Sequence, residues 1–435
     1  MNQENLVVTR ELIDFIRKSP TAFQAAETIS AMLEEAGFVR LSEGGEWRLK
    51  PGGCYYLTRN LSSVAAFRIP ETADSFMIAA SHTDSPTFKL KNSYEDEACG
   101  KYLRLNTERY GSSLFSTWFD RPLSLAGRVI LKDGDRFTAK SVSVDRDLLL
   151  IPSVAIHFNR QTNDGMKIDP SVDTVPLFST PERKGALRRI VAEAAGAPEE
   201  QLAGMDLFLY NRTPGCIWGA DNEFFSAPRI DNLMCAFGTL KGFLSAEKGR
   251  AVQVYAAFDN EETGSDTKQG AGSMLLRDTL ARIAESLGKD LRRMLASSFM
   301  LSADNGHARH PNHPELSDAE NAPYMNEGVV IKTNAAQKYT TDGLSAALFT
   351  EICRRADVPV QQFANRSDLA GGSTLGGISN TKVPLNTVDI GLAQLAMHSS
   401  YETAGCADAA YLIRAARECY ESALETSGDG VYTLL

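Results

Sequence analysis

The chain has 435 residues, 43% of them hydrophobic and 23% charged, and its 45 Lys+Arg against 55 Asp+Glu leave a net charge of −10. That acidic balance excludes a general nucleic-acid binder, whose footprint is basic, and no window approaches the ~20 consecutive apolar residues that span a bilayer. The length suits two domains of ordinary size.

Residues 5–37 repeat apolar positions at helical spacing (Leu6, Leu12, Phe15, Ile16, then Ile29, Met32, Leu33) and stop at Gly37, which predicts two helices. Glu4, Glu11 and Asp14 stand where a signal peptide avoids acids. SFMIAASHTDS (75–85) is a short apolar run ending in polar residues, the pattern of a buried strand. From about 90 to 224, short alternating runs are broken by turns such as Asp133-Gly134-Asp135. This predicts a β-rich domain inserted into the first, its Glu/Ala-rich stretch 191–203 forming a surface helix or loop. Beyond it, 251–265, 297–307 and, more weakly, 383–392 repeat the design of 75–85, with helical stretches at 270–295 and 343–356 between them. Strand, helix, strand predicts an α/β domain with a mostly parallel central sheet flanked by helices, formed by 1–89 and 225–435 around an insert at 90–224. In such a sheet the ligand site lies outside the carboxyl ends of the strands.

The polar residues of these runs cluster at those ends. His82 closes the first strand in Ser81-His82-Thr83-Asp84, where a nearby carboxylate orients an imidazole whose other nitrogen takes a metal. Glu261-Glu262 follow the strand at 251–258 and suit a ligand beside a general base. Asp304 is the first acid after the next strand, and His307, His310 and His313 follow it in a stretch that Pro311 and Pro314 keep from being a helix. Asp231, at the start of a predicted helix, reads equally as N-cap or ligand. His398 completes the set of nitrogen and carboxylate donors, which without thiolate suits one or two divalent ions, zinc above all, with Co2+ or Mn2+ as alternatives. Such ions activate water towards a carbonyl, so amide hydrolysis follows. The glycine-rich Gly371-Gly372-Ser373-Thr374 lacks a P-loop lysine, and Gly372 and Ser373 suit backbone contact with substrate. Seven scattered cysteines, odd in number and never spaced C-x-x-C, point to a reduced, cytoplasmic protein.

SHTDSPTFKLK, PRIDNL, FDNEETGS, SADNGHARHPN, IKTNAAQKY and LAQLAMHSSYE, in that order, resemble the aspartyl aminopeptidase family of cytoplasmic dinuclear zinc exopeptidases. The resemblance runs from the first helix to about residue 425 and takes in IPSVAIHFNR of the insert. It implies that His82 and Asp304 bind one zinc, that Glu262 and His398 bind the other, and that Asp231 bridges the two. It also implies Glu261 as the general base and Asp84 as the group orienting His82. His157 matches a histidine that reaches into a neighbouring subunit's active site to bind the substrate carbonyl, and the alternative that it binds metal stays open. Asp259 and the acids around it would bind the free ammonium of a peptide substrate. The resemblance further implies a homo-dodecamer built from dimers, with the insert as the dimerisation element. One departure bears on specificity. Members preferring an acidic N-terminal residue carry a lysine where Ala336 stands, so that preference does not carry over, and neutral or apolar residues are admitted. Lys338, two residues on, is a candidate substitute whose ordinary reading is structural.

Two rival readings remain at this level. A carboxypeptidase or N-acyl amino-acid deacylase on the same fold would need a cation for the substrate carboxylate, for which Arg229, Arg366 or Lys338 are available. A non-catalytic chambered scaffold is opposed by the complete donor set and the retained Glu261.

Overall fold

The computed structural model describes residues 1–435. The first helical pattern divides at Ser19-Pro20 into Gln3–Lys18 and Ala22–Glu35, since proline cannot continue a helix and the Thr21 hydroxyl caps the second one by accepting from Phe23 N at 3.3 Å. The four apolar runs become Val252–Phe258, Phe76–His82, Phe299–Ala303 and Asn386–Gly391, neighbours in that order and mutually parallel at the centre of a nine-stranded sheet. Helices cover both faces, which is why these strands read as continuous apolar runs rather than as alternation. The period of two survives in where the side chains go. Met77 and Ala79 join the core beneath Gln3–Lys18, Ile230–Ser245 and Asp408–Glu421, whereas Phe76, Ile78 and Ala80 join the core beneath Leu275–Ser286 and Leu291–Ala296.

The edges of this sheet were not anticipated. The hairpin Cys54–Arg59/Ser63–Arg68 extends one side, and Val329–Thr333 with Val360–Ala364 extends the other, Val329–Thr333 running antiparallel to Asn386–Gly391. Residues 87–211 supply all six strands of a second, antiparallel sheet, onto which helix Ala186–Ala195 packs. Its hairpin Leu123–Asp133/Arg136–Ser143 turns through Gly134 and Asp135. The Glu/Ala-rich stretch is α-helical as far as Ala195 and passes through a 3-10 turn at Glu199–Gln201 into strand Leu202–Asn211. Cys216–Trp218 and Phe224–Ala227 belong to a third sheet, with Glu402–Gly405, Ala393–Leu395 and Gly306–His307. No helix is long and apolar enough to cross a membrane.

Asp408, fully buried at the start of the last long helix, accepts from Asn326 N at 2.7 Å and Gly328 N at 3.3 Å, and burial pushes its carboxyl up to about 7. A raised acid favours the fold fully below the pKa of the unfolded chain and loses that contribution as pH rises through its folded value. Asp408 therefore withdraws stability between about pH 4 and 7, at most about 4 kcal/mol. Asp408→Asn keeps an acceptor and cannot ionise, so its melting temperature should fall less than that of the wild type over this range; parallel curves would show that Asp408 does not titrate there.

Candidate metal centre

The carboxyl ends of the central strands converge on one cluster. His82 is the last residue of its strand, Asp304 follows Phe299–Ala303, and Glu261 and Glu262 sit on a single 3-10 turn that begins three residues past Val252–Phe258. Asp231 lies in the first turn of Ile230–Ser245 with extended dihedrals (φ −78°, ψ 110°), and its side chain caps no backbone N–H: Oδ1 is buried without a hydrogen-bond partner. His398 comes from the loop after Ala393–Leu395.

The two histidines are oriented alike. His82 Nδ1 lies 3.1 Å from the Asp84 carbonyl oxygen and 3.3 Å from its Oδ1, and His398 Nδ1 lies 2.8 Å from the Ser112 carbonyl oxygen. A carbonyl only accepts, so each Nδ1 carries the proton and each Nε2 turns a lone pair inward. His82 Nε2 faces Asp231 Oδ1 at 3.5 Å and Asp304 Oδ1 at 3.4 Å. His398 Nε2 faces Asp231 Oδ2 and Glu262 Oε2, both at 3.4 Å. Asp231 thus offers one oxygen to each histidine. These separations exceed ordinary hydrogen bonds. They match the edges of a tetrahedron of ligands about 2.0–2.1 Å from a zinc, which are about 3.3–3.4 Å long. Asp231 Oδ1 and Glu262 Oε1 are buried with no hydrogen-bond partner, a costly state for oxygens that a cation would satisfy. Three groups therefore offer converging donors: His82, Asp231 and Asp304; Asp231, Glu262 and His398; and His82, Glu261 and Glu262.

The electrostatics point the same way. No lysine or arginine forms an ion pair with these carboxylates. Burial pushes Glu261 up to about 8 and Glu262 upward as well. Burial also acts to raise Asp231, but the His398 and His82 imidazoles outweigh it and hold that carboxyl below its usual range. So many buried acids stay charged together only beside cations.

Supporting contacts complete the centre. Asp84 Oδ1 and Oδ2 accept from Glu261 N at 3.1 Å and Glu262 N at 3.2 Å, so the group beside His82 also fixes the acidic turn. Glu402, which sequence reasoning did not single out, is buried and accepts from Asp231 N (3.0 Å), His398 N (2.8 Å) and Gln394 Nε2 (3.1 Å). Its place at the end of LAQLAMHSSYE, four residues past His398, was the available signal. Arg229, Asn260 and His398 hold left-handed φ of 58°, 63° and 66°, conformations that persist where surrounding contacts over-determine them.

Other expected residues lie elsewhere. Asp259 is buried, its carboxyl pushed up to about 7 by burial and then by the Asp84 charge. It lines, with Asp84, Asp231 and Asn260, a cavity of ≈ 280 Å³ that touches none of His82, Glu261, Glu262, Asp304 or His398. His157, Lys338, Gly372 and Ser373 are exposed and outside the donor groups. His310 and His313 pack on each other, ring centres 5.3 Å apart, and neither they nor His307 belong to the converging donor groups.

Comparison with known proteins places this centre in context. The family model described as aminopeptidase I zinc metalloprotease (M18) matches residues 15–420. A Clostridium acetobutylicum protein named probable M18 family aminopeptidase 2 is 43% identical over 430 residues, covering 96% of this chain and 99% of that one. A Ricinus communis protein named probable aspartyl aminopeptidase is 35% identical, covering 94% of each chain. The solved mApe1 dodecamer of Saccharomyces cerevisiae superposes with a TM-score of 0.85 at 28% identity, covering 97% of each chain. The chain belongs to the M18 family of zinc metallopeptidases and is an aminopeptidase.

Proposed function

We propose that the chain releases the N-terminal residue of peptides using two divalent ions, zinc above all, with Asp231 between them. His82 and Asp304 would hold one ion, His398 and Glu262 the other. The observation that carries this reading is the Asp231 carboxylate, whose two oxygens face two different histidines at 3.5 and 3.4 Å. When bound, such a pair polarises the scissile carbonyl and makes water nucleophilic near neutral pH. The Glu261 carboxylate takes the proton of the attacking water and returns it to the nitrogen of the leaving amine, work suited to an acid that burial raises towards neutrality. Asp84 holds His82 and the Glu261-Glu262 turn in one arrangement.

Two of the three cations that a carboxypeptidase could use are occupied. Arg229 donates to the Ser19 and Ile16 carbonyls at the end of the first helix, and Arg366 pairs with Asp368. With Ala336 in an exposed turn, we read the preference as neutral or apolar, and we read Lys338, Gly372, Ser373 and Asp259 as substrate contacts by resemblance alone. The domain division, with 90–224 as a dimerisation domain inserted in 1–89 and 225–435, is part of the same reading. Around His157, Val154, Ile156 and Phe158 are exposed, Phe158 to 87%, an apolar ridge suited to cover by a second subunit and to carrying His157 across. The yeast dodecamer supports the corresponding assembly here, and seven unpaired cysteines support a reducing, cytoplasmic setting.

The test is hydrolysis of Asp, Glu, Leu, Met and Lys anilides, beside an N-acetylated control, before and after chelation. Cleavage of the free substrates, abolished by chelator and restored by zinc or cobalt, is expected, with Leu or Met ahead of Asp. Cleavage of the acetylated substrate alone would replace this reading with a deacylase.

A further inference from the structure

The second sheet does more than frame an interface. Its strand Tyr102–Tyr110 runs into Gly111 and Ser112, and these three residues touch the supports of both halves of the metal centre. Tyr110 Oη donates to Asp84 Oδ2 at 2.7 Å and accepts from Asn260 Nδ2 at 2.8 Å. Asp84 in turn faces His82 Nδ1 and takes the backbone N–H of Glu261 and Glu262. Two residues on, the Ser112 carbonyl accepts from His398 Nδ1 at 2.8 Å, and Leu114 N donates to the His398 carbonyl at 3.0 Å. Between them Gly111, at φ +71°, packs so closely that a Cβ there would lie 3.1 Å from Glu262 Cβ and 3.4 Å from the Glu262 carbonyl oxygen. One short segment of the insert thus meets the partners of His82, the acidic turn and His398.

We infer that Tyr110-Gly111-Ser112 is a positioning clamp for the metal ligands, so that seating of the inserted domain on the catalytic domain sets how tightly the ions are held. This rests on the ligand assignment proposed above. The physical basis is that a hydrogen bond to the far side of a ligand fixes its orientation and basicity, and that losing one costs about 10–100-fold in metal affinity. Tyr110 supports one half-site through Asp84. The Ser112 carbonyl supports the other directly, and His398 needs it most, because 29% of that side chain remains exposed and surrounding atoms alone would not hold the ring.

Tyr110→Phe removes the donor but keeps the ring, which stands edge-on to Phe208 with centres 5.4 Å apart. Zinc transfer to a chromophoric chelator and the visible spectrum of the cobalt-loaded protein would be measured for the wild type, Tyr110→Phe, Gly111→Ala and a control, Tyr210→Phe. Tyr210 also lies in the insert, and its hydroxyl donates to the Val144 carbonyl at 3.0 Å and accepts from Arg212 Nη1 at 3.0 Å, bonding to no donor of the metal centre and to none of their supports. Expected are zinc affinities about 10–100-fold weaker and altered cobalt bands in Tyr110→Phe and Gly111→Ala, with the far-ultraviolet dichroism of the wild type, and wild-type behaviour in Tyr210→Phe. Wild-type affinity and cobalt bands in both test variants would overturn the clamp. Equal weakening in Tyr210→Phe would also overturn it, by showing that the effect does not pass through Tyr110-Gly111-Ser112. A wild-type protein that takes up neither metal would overturn the ligand assignment itself.

Discussion

Replacing Glu261 by glutamine should lower kcat by about 10²–10⁴-fold with little change in bound metal, because the substitution keeps shape and hydrogen bonding and removes only the ability to take a proton. Glu261 enters only one of the three donor groups, whereas Asp231 and Glu262 each enter two, so the ions lose little when it changes. Its backbone remains fixed by Asp84, so the turn should not move. Since proton transfer belongs to the transition state, kcat and kcat/KM should fall together. Steady-state rates paired with elemental analysis decide the matter. Unchanged turnover would remove Glu261 from the mechanism, and loss of metal would make it a ligand.

Asp231→Asn should be more disruptive. The amide keeps one oxygen and replaces the other with a donor, so one of the two histidine-facing positions is lost and the remaining negative charge between them disappears. Its backbone N–H still meets Glu402 and the helix behind it is unaltered, so the fold should persist. The expected result is loss of at least one ion and a fall in activity of about 10³-fold or more, the rate equivalent of the several kcal/mol that a metal contributes to charge stabilisation. Elemental analysis and kinetics after gel filtration check it. A variant holding two ions at wild-type activity would show that Asp231 is no bridge.

The parts of this centre legible in the sequence are those that local pattern dictates. His82, Asp304 and the Glu261-Glu262 pair each follow an apolar run, and a parallel sheet carries such run ends to one side, so their convergence follows from strand periodicity. Asp231 was ambiguous because an acid at a helix start has two uses, and only the direction of its side chain, which leaves Oδ1 buried and unpartnered instead of capping an N–H, separates them. The remaining supports are long-range or carried by the backbone. Asn260 meets Tyr110 across 150 residues, and the Ser112 carbonyl on His398 has no side-chain signature. The edge strand Val329–Thr333 has no sequence signature, because its pairing antiparallel to Asn386–Gly391 is a matter of topology and not of composition. Asp259 is a different case. Nearness in sequence to Glu261 does not show which way its side chain goes: just past its strand it faces the cavity it shares with Asp84 and Asp231.

Whether Asp231 lies between two ions is measured most directly by anomalous scattering at the zinc edge from crystals of the zinc-loaded protein. Two peaks about 3.5–4 Å apart are predicted, one beside His82 and Asp304, the other beside His398 and Glu262, with the Asp231 carboxylate between them. A single peak, or peaks away from Asp231, would contradict it.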